Sequence, residues 1–145
     1  MKIRIALVTL AALWALSLAH PALRADQAAG KTVWDGVFTE DQAKRGSVVY
    51  TDACGSCHGA DMAGDGFAPA LGGSEFASNW NTLSVGDLFE RIRISMPPTG
   101  PDEVTAVQKA DILAYILKFN RYPSGTTELP ATADQLKLIK IEMKK

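Results

Sequence analysis

The chain holds two cysteines, Cys54 and Cys57, and a histidine follows the second at once, giving Cys54-Gly55-Ser56-Cys57-His58. A pair this close has few uses. A disulfide across two intervening residues closes a very small loop and stabilises little. A redox pair of the thioredoxin type sits where a strand feeds a helix, and no strand precedes Cys54. Zinc would need two ligands beyond the cysteines, and after residue 25 the chain has only one histidine, His58. What remains is the attachment motif for haem c. One helical turn lines up two thiols along a porphyrin edge, where each adds to a vinyl group. His58 then lies under the iron as its axial ligand. The covalent bonds keep the cofactor on a domain too small to enclose it.

The compartment follows from the first residues. Lys2 and Arg4 open the chain, and Ile5 to Ala19 is apolar except for Thr9 and Ser17. That run is shorter than the roughly 20 residues a membrane-spanning helix needs. His20-Pro21 breaks it, and small residues follow at Ala22 and Ala25. This is the layout of a secretory signal peptide, residues 1–25, with cleavage expected after Ala25. The expected location is therefore the periplasm, with no stable membrane insertion once the signal is removed. An uncleaved anchor would leave the domain in the same compartment. Cleavage takes His20 away, together with Lys2, Arg4 and Arg24 and no acid. Fifteen basic residues less these three, against 16 acidic ones, gives −4 where the whole chain carries −1. A mildly acidic domain is not a nucleic-acid binder.

Beyond the signal, residues 26–38 show no period and read as an N-terminal arm. Thr39-Glu40-Asp41-Gln42 is a capping box and starts a helix that runs to about Thr51. Residues 59–80, rich in Gly, Ala and Pro, read as a long loop with at most a short helical turn. Such a loop is uncommon in a small domain unless it packs on a ligand. Ser84 or Thr82 caps a second helix from Val85 to Ile94, with Leu88, Phe89 and Ile92 on its apolar side. Met96-Pro97-Pro98 ends it. Thr105 to Gln108 forms another capping box, and Val107, Ala110, Leu113, Ala114 and Leu117 mark the apolar face of a third helix, ending near Asn120. In the tail, residues 124–145, Leu136, Ile139 and Met143 fit one last helical face, and the lysines at 137, 140, 144 and 145 read as solvated. No segment alternates as a strand, so the expected class is all-α.

A metal-binding imidazole usually donates its other ring proton to a fixed acceptor. The Pro69 carbonyl in Ala68-Pro69-Ala70-Leu71 is the candidate, with Leu71 packing on the haem. Pro69 also serves simply to shape a loop. For the sixth iron position the chain beyond Ala25 has no second histidine and three methionines, Met62, Met96 and Met143. Met62 lies four residues after His58, too near to pass round the porphyrin rim, and Met143 has no fixed anchor. Met96 follows a long loop and precedes prolines that hold its backbone extended. Histidine with methionine raises the haem potential, as electron transfer requires.

From about Thr39 to Pro123 these residues resemble a class I cytochrome c. Gly46 and Tyr50 resemble the small-residue and aromatic pair of its first helix, Cys54 to His58 its haem motif, and Pro69 with Leu71 its proline-leucine element. Met96-Pro97 resembles its methionine ligand motif, and Asp111-Ile112-Leu113-Ala114-Tyr115 its last-helix signature. The resemblance implies three main helices and long loops wrapped around one covalent haem c. It also implies a close crossing of first and last helices at Gly46, with Ile112 and Tyr115 meeting Tyr50. Phe76, Trp80, Leu88-Phe89, Met96-Pro97 and the run from Asn120 to Pro130 are similar to the haem domains and small cytochromes associated with bacterial quinoprotein dehydrogenases. That narrower likeness implies that Trp80 packs on the haem, although an ordinary core tryptophan fits the position equally.

The resulting expectation is an electron carrier, not an enzyme. Its partners would be a redox protein donor and acceptor, a quinoprotein dehydrogenase and a terminal oxidase being the implied kinds. The alternatives are a fixed haem subunit of a dehydrogenase or oxidase complex, a haem enzyme or ligand sensor with an open iron site, and a thiol-disulfide enzyme.

Overall fold

The structure, a computed structural model, describes residues 30–143. The signal segment 1–25, the start of the arm and the last two lysines lie outside the described residues. Within them the order is β1 (Lys31–Thr32), a 3-10 turn (Val33–Asp35), α1 (Glu40–Ala53), α2 (Gly55–His58), α3 (Gly73–Trp80), α4 (Val85–Ser95), a second 3-10 turn (Pro101–Glu103), α5 (Ala106–Phe119), α6 (Ala133–Leu136) and β2 (Ile139–Lys140).

The three main helices start where short polar side chains cap them. The Thr39, Ser84 and Thr105 hydroxyls accept from the third backbone N–H beyond them, which satisfies donors that the helix itself leaves open. The capping boxes at Ser84 and Thr105 are complete, closed by Asp87 and Gln108. The one at Thr39 is only half made. Gln42 is buried and instead exchanges two hydrogen bonds with the Leu129 backbone, at 3.0 and 2.8 Å.

α1 and α5 form the most extensive packing in the fold. They cross at Gly46, where any Cβ would overlap the Asp111 carbonyl and stand 3.0 Å from the Ile112 amide nitrogen. A residue without a side chain is what permits the approach. Just beyond, Tyr50 meets Tyr115 edge-on, with centroids 5.3 Å apart. Arg45 on α1 grips Asp111 on α5 with two bonds of 3.0 Å and also reaches Glu128.

The arm and tail belong to this core. Val33, Val37 and Phe38 are buried on one side of the sequence and Leu129, Leu136, Ile139 and Ile141 on the other. β1 pairs in parallel with β2, Gly125 N–H donates to the Phe38 carbonyl at 2.7 Å, and Trp34 packs edge-on against Tyr122. Ile141 exchanges backbone bonds with Thr82 and Leu83, so the tail also ties down the start of α4. The expected last helical face resolves differently: α6 ends at Leu136, Ile139 belongs to a strand, and Met143 is half exposed. Val107 faces solvent, so the apolar face of α5 begins at Ala110. α3 takes eight residues of what reads in the sequence as loop.

Candidate haem site

The cysteine motif forms its own turn at the end of α1. Cys54 caps that helix, its N–H bonding the Tyr50 carbonyl at 2.8 Å, and its own carbonyl receives the N–H of Cys57 and of His58. Tyr50 donates its hydroxyl to the Gly59 carbonyl at 2.8 Å, fastening the far end of the turn. Burial, then proximity to Cys54, pushes the Tyr50 hydroxyl up to about 12, so it stays a donor at neutral pH. Both thiols are free. Burial, with Cys57 beside it, raises the Cys54 thiol above its usual range.

The His58 ring is buried, with Nδ1 2.9 Å from the Pro69 carbonyl oxygen. A carbonyl only accepts, so Nδ1 carries the proton and Nε2 keeps its lone pair free. The loop between them is held from within. Asp65 accepts from the Phe67 and Ala68 amides at 2.9 and 2.8 Å, Gly64 N–H bonds the His58 carbonyl, and Leu71 N–H bonds the Met62 carbonyl.

Two adjoining cavities open in front of the motif, of about 330 and about 450 Å³. Cys54, His58, Pro69 and Met96 line both. Cys57 lies on the outer cavity with the fully exposed Phe67 and with Pro97 and Pro98. Leu71 and Trp80 lie on the inner one, with Leu88, Ile92, Ile112 and Ile116 behind them. Met96 sits in extended backbone at the end of α4, partly buried. Met62 is wholly buried and lines neither cavity. Met143 holds the tail to Asn81 through its backbone.

The donor set suits haem c: two free thiols one turn apart, an imidazole with a fixed tautomer, a thioether lining the same space, and a largely apolar slot. Cys54 and Cys57 would hold the cofactor covalently. Among the described residues no three of His, Cys, Asp and Glu gather as a metal-ion cluster.

Two further polar side chains, Arg91 and Asn79, line the inner cavity and are not evident from motif reading. Among the described residues that line it, Arg91 is the one Arg, Lys, Asp or Glu. The signal for it is positional: Leu88, Arg91, Ile92 and Met96 follow one another at spacings of one helical face.

No curated protein and no solved structure matches the chain. Residues 41–116 match the family described as cytochrome c oxidase, cbb3-type, subunit III. That stretch runs from α1 through the haem motif and the Met96 segment into α5, so the all-α fold and the haem motif lie in one matched domain. The chain belongs to this family of c-type cytochrome domains, with a class I cytochrome c fold and a haem c electron-transfer function.

Proposed function

We propose that this chain is a periplasmic carrier of single electrons, with His58 and Met96 as the axial ligands of its haem. The observation that carries the reading is the shared cavity: Cys54, His58 and Met96 line one space, and the Pro69 carbonyl engages Nδ1 of His58, which leaves Nε2 as the ring atom free to ligate. Bound haem supplies the one-electron iron couple. The chain's own residues set its conditions. Pro69 fixes the imidazole and raises its basicity as a ligand. The Met96 thioether, a soft donor, favours reduced iron. Leu71, Trp80, Ile92 and Ile116 give the inner cavity an apolar wall on which the porphyrin would pack. The outer cavity, with Cys57 at an exposed position, leaves one edge open as the route for electrons.

The oxidised protein should show the weak near-infrared sulfur-to-iron band. Met96→Ala should abolish it, lower the potential and let carbon monoxide bind the reduced form, whereas Met62→Ala and Met143→Ala should leave all three nearly unchanged. An intact band in Met96→Ala would refute the ligation. Periplasmic location is tested by fractionation, with amino-terminal sequencing to locate cleavage near Ala25.

A second reading, a fixed haem subunit, is favoured by the family's description as an oxidase subunit. A diffusible carrier binds its donor and acceptor through small, short-lived contacts that weaken with salt. The donor proposed is a quinoprotein dehydrogenase and the acceptor a terminal oxidase. Salt-indifferent copurification with one large subunit would favour the fixed role. Among the described residues no helix is long and apolar enough to cross a membrane.

A further inference from the structure

Lys109 is an unusual lysine. It lies on the first turns of α5 and is only 2 % exposed. Its ammonium makes no ion pair among the described residues. Both of its hydrogen bonds go to backbone carbonyls, of Pro101 at 2.6 Å and of Arg93 at 3.3 Å. A buried charge is costly unless it is well coordinated, so its two acceptors matter.

The Arg93 carbonyl is among the last four of α4, which have no partner within the helix and carry the negative end of its dipole. An ammonium is the group that suits it. Pro101 begins the turn that leads towards α5. These two carbonyls therefore flank residues 94–100, the segment that carries Met96. Within that segment Pro97 and Pro98 have no N–H, and its backbone bonds are local: Met96 N–H to Ile92, and Gly100 N–H to the Pro97 carbonyl. Lys109 joins both flanks to α5, which is itself locked to α1 at Gly46.

We propose that Lys109 is the positioning residue for Met96: it clamps both ends of the 94–100 segment to α5 and so keeps the thioether in the cavity it shares with His58. This rests on the reading of Met96 as a ligand. The clamp works through backbone carbonyls, so it depends on the ammonium and not on the identity of residues 93 and 101.

The test is competition for the Met96 position by imidazole in the oxidised, haem-loaded protein, followed by loss of the sulfur band. An added ligand binds in proportion to the fraction of molecules in which Met96 has swung away. Losing one hydrogen bond from a charged donor raises that fraction roughly tenfold or more. Lys109→Met keeps the apolar stem and removes the donors, and should bind imidazole at least roughly tenfold more tightly than the parent. Amide exchange in residues 94–101 should quicken with it. Leu129→Ala, a core truncation on the tail, controls for general destabilisation and should leave imidazole affinity unchanged. If Lys109→Met does not accumulate folded, Lys109→Gln, with neutral donors on a shorter stem, is read the same way. Unchanged affinity in the folded lysine variant, beside a Met96→Ala protein that has lost the band, overturns the clamp alone. A band that survives in Met96→Ala overturns the clamp and the ligation together. Equal tightening in Leu129→Ala overturns the specific role of Lys109.

Discussion

Single residues decide whether the two longest helices can meet. At Gly46 a methyl group would enter the Asp111 carbonyl, and backbone cannot move aside as a flexible side chain can. Gly46→Ala should therefore cost about 3 kcal/mol, the upper end of overpacking in a tight core. Urea unfolding followed by helix signal would show it as a lower midpoint with little change in slope. The neighbouring pair behaves differently. Asp111 is buried and its carboxylate is held by Arg45. Arg45→Met should destabilise more than Asp111→Asn, because it strands a buried charge while the second change removes that charge. Gly46 and Tyr50 are legible in the sequence because they resemble the small-residue and aromatic pair on the first helix of class I cytochromes c. Lys109 and Gln42 are not. A lysine on a helix and the fourth residue of a capping box have ordinary local roles, and only the fold shows that one is buried and the other bonded to Leu129.

At the scale of elements, what was legible is what carries a local cap or a full period. α1, α4 and α5 begin at the Thr, Ser and Thr that announce them. α3 begins after Gly72, which has no side chain to cap with, and β1 and β2 are two residues each, too short to show alternation. Their pairing joins residues far apart in sequence, which no local pattern reports. The tail accordingly reads as one more helical face, whereas α6 ends at Leu136, which is fully buried, and Ile139 belongs to β2. Leu136→Ala should cost about 2–5 kcal/mol, measurable as a drop in the melting temperature. The cap of α4 makes a pH prediction. The Ser84 hydroxyl and then its N–H hold the Asp87 carboxylate below its usual range. A depressed carboxylate contributes stability that is complete above its unfolded pKa of about 4 and is lost as pH falls through the lower folded value. Asp87→Asn removes that proton linkage. Its stability should fall less steeply than the parent's between about pH 5 and pH 2 in a urea series.

The whole molecule is built around space it cannot fill alone. The two cavities meet at Cys54, His58, Pro69 and Met96, and the inner one, about 450 Å³, has an apolar back. Empty core volume costs about 24 cal/mol per Å³. For the inner cavity that is on the order of 10 kcal/mol, within the whole stability of an ordinary domain, about 5–15 kcal/mol. Its open mouth admits water and lowers the cost, but water finds few partners on that wall. A chain without haem should therefore not keep this shape. The parts that depend least on the cofactor are the α1–α5 crossing and the arm–tail pairing, whose contacts lie among protein atoms alone. The parts that depend on it most are residues 65–71, Asn79 and Trp80 and the Met96 segment, which line the space. The double variant Cys54→Ala, Cys57→Ala, produced without haem attachment, makes the comparison. Amide exchange should find protection remaining in α1 and α5 and lost across 65–71 and 94–101, with near-ultraviolet dichroism flattened and no sharp melting transition. Haem added non-covalently should restore part of the protection, since anything that binds only the folded form stabilises it by mass action. A haem-free variant that melts cooperatively within a few degrees of the loaded protein would mean that the slot is held open by the chain itself, and that the cofactor fills a cavity it did not help to shape.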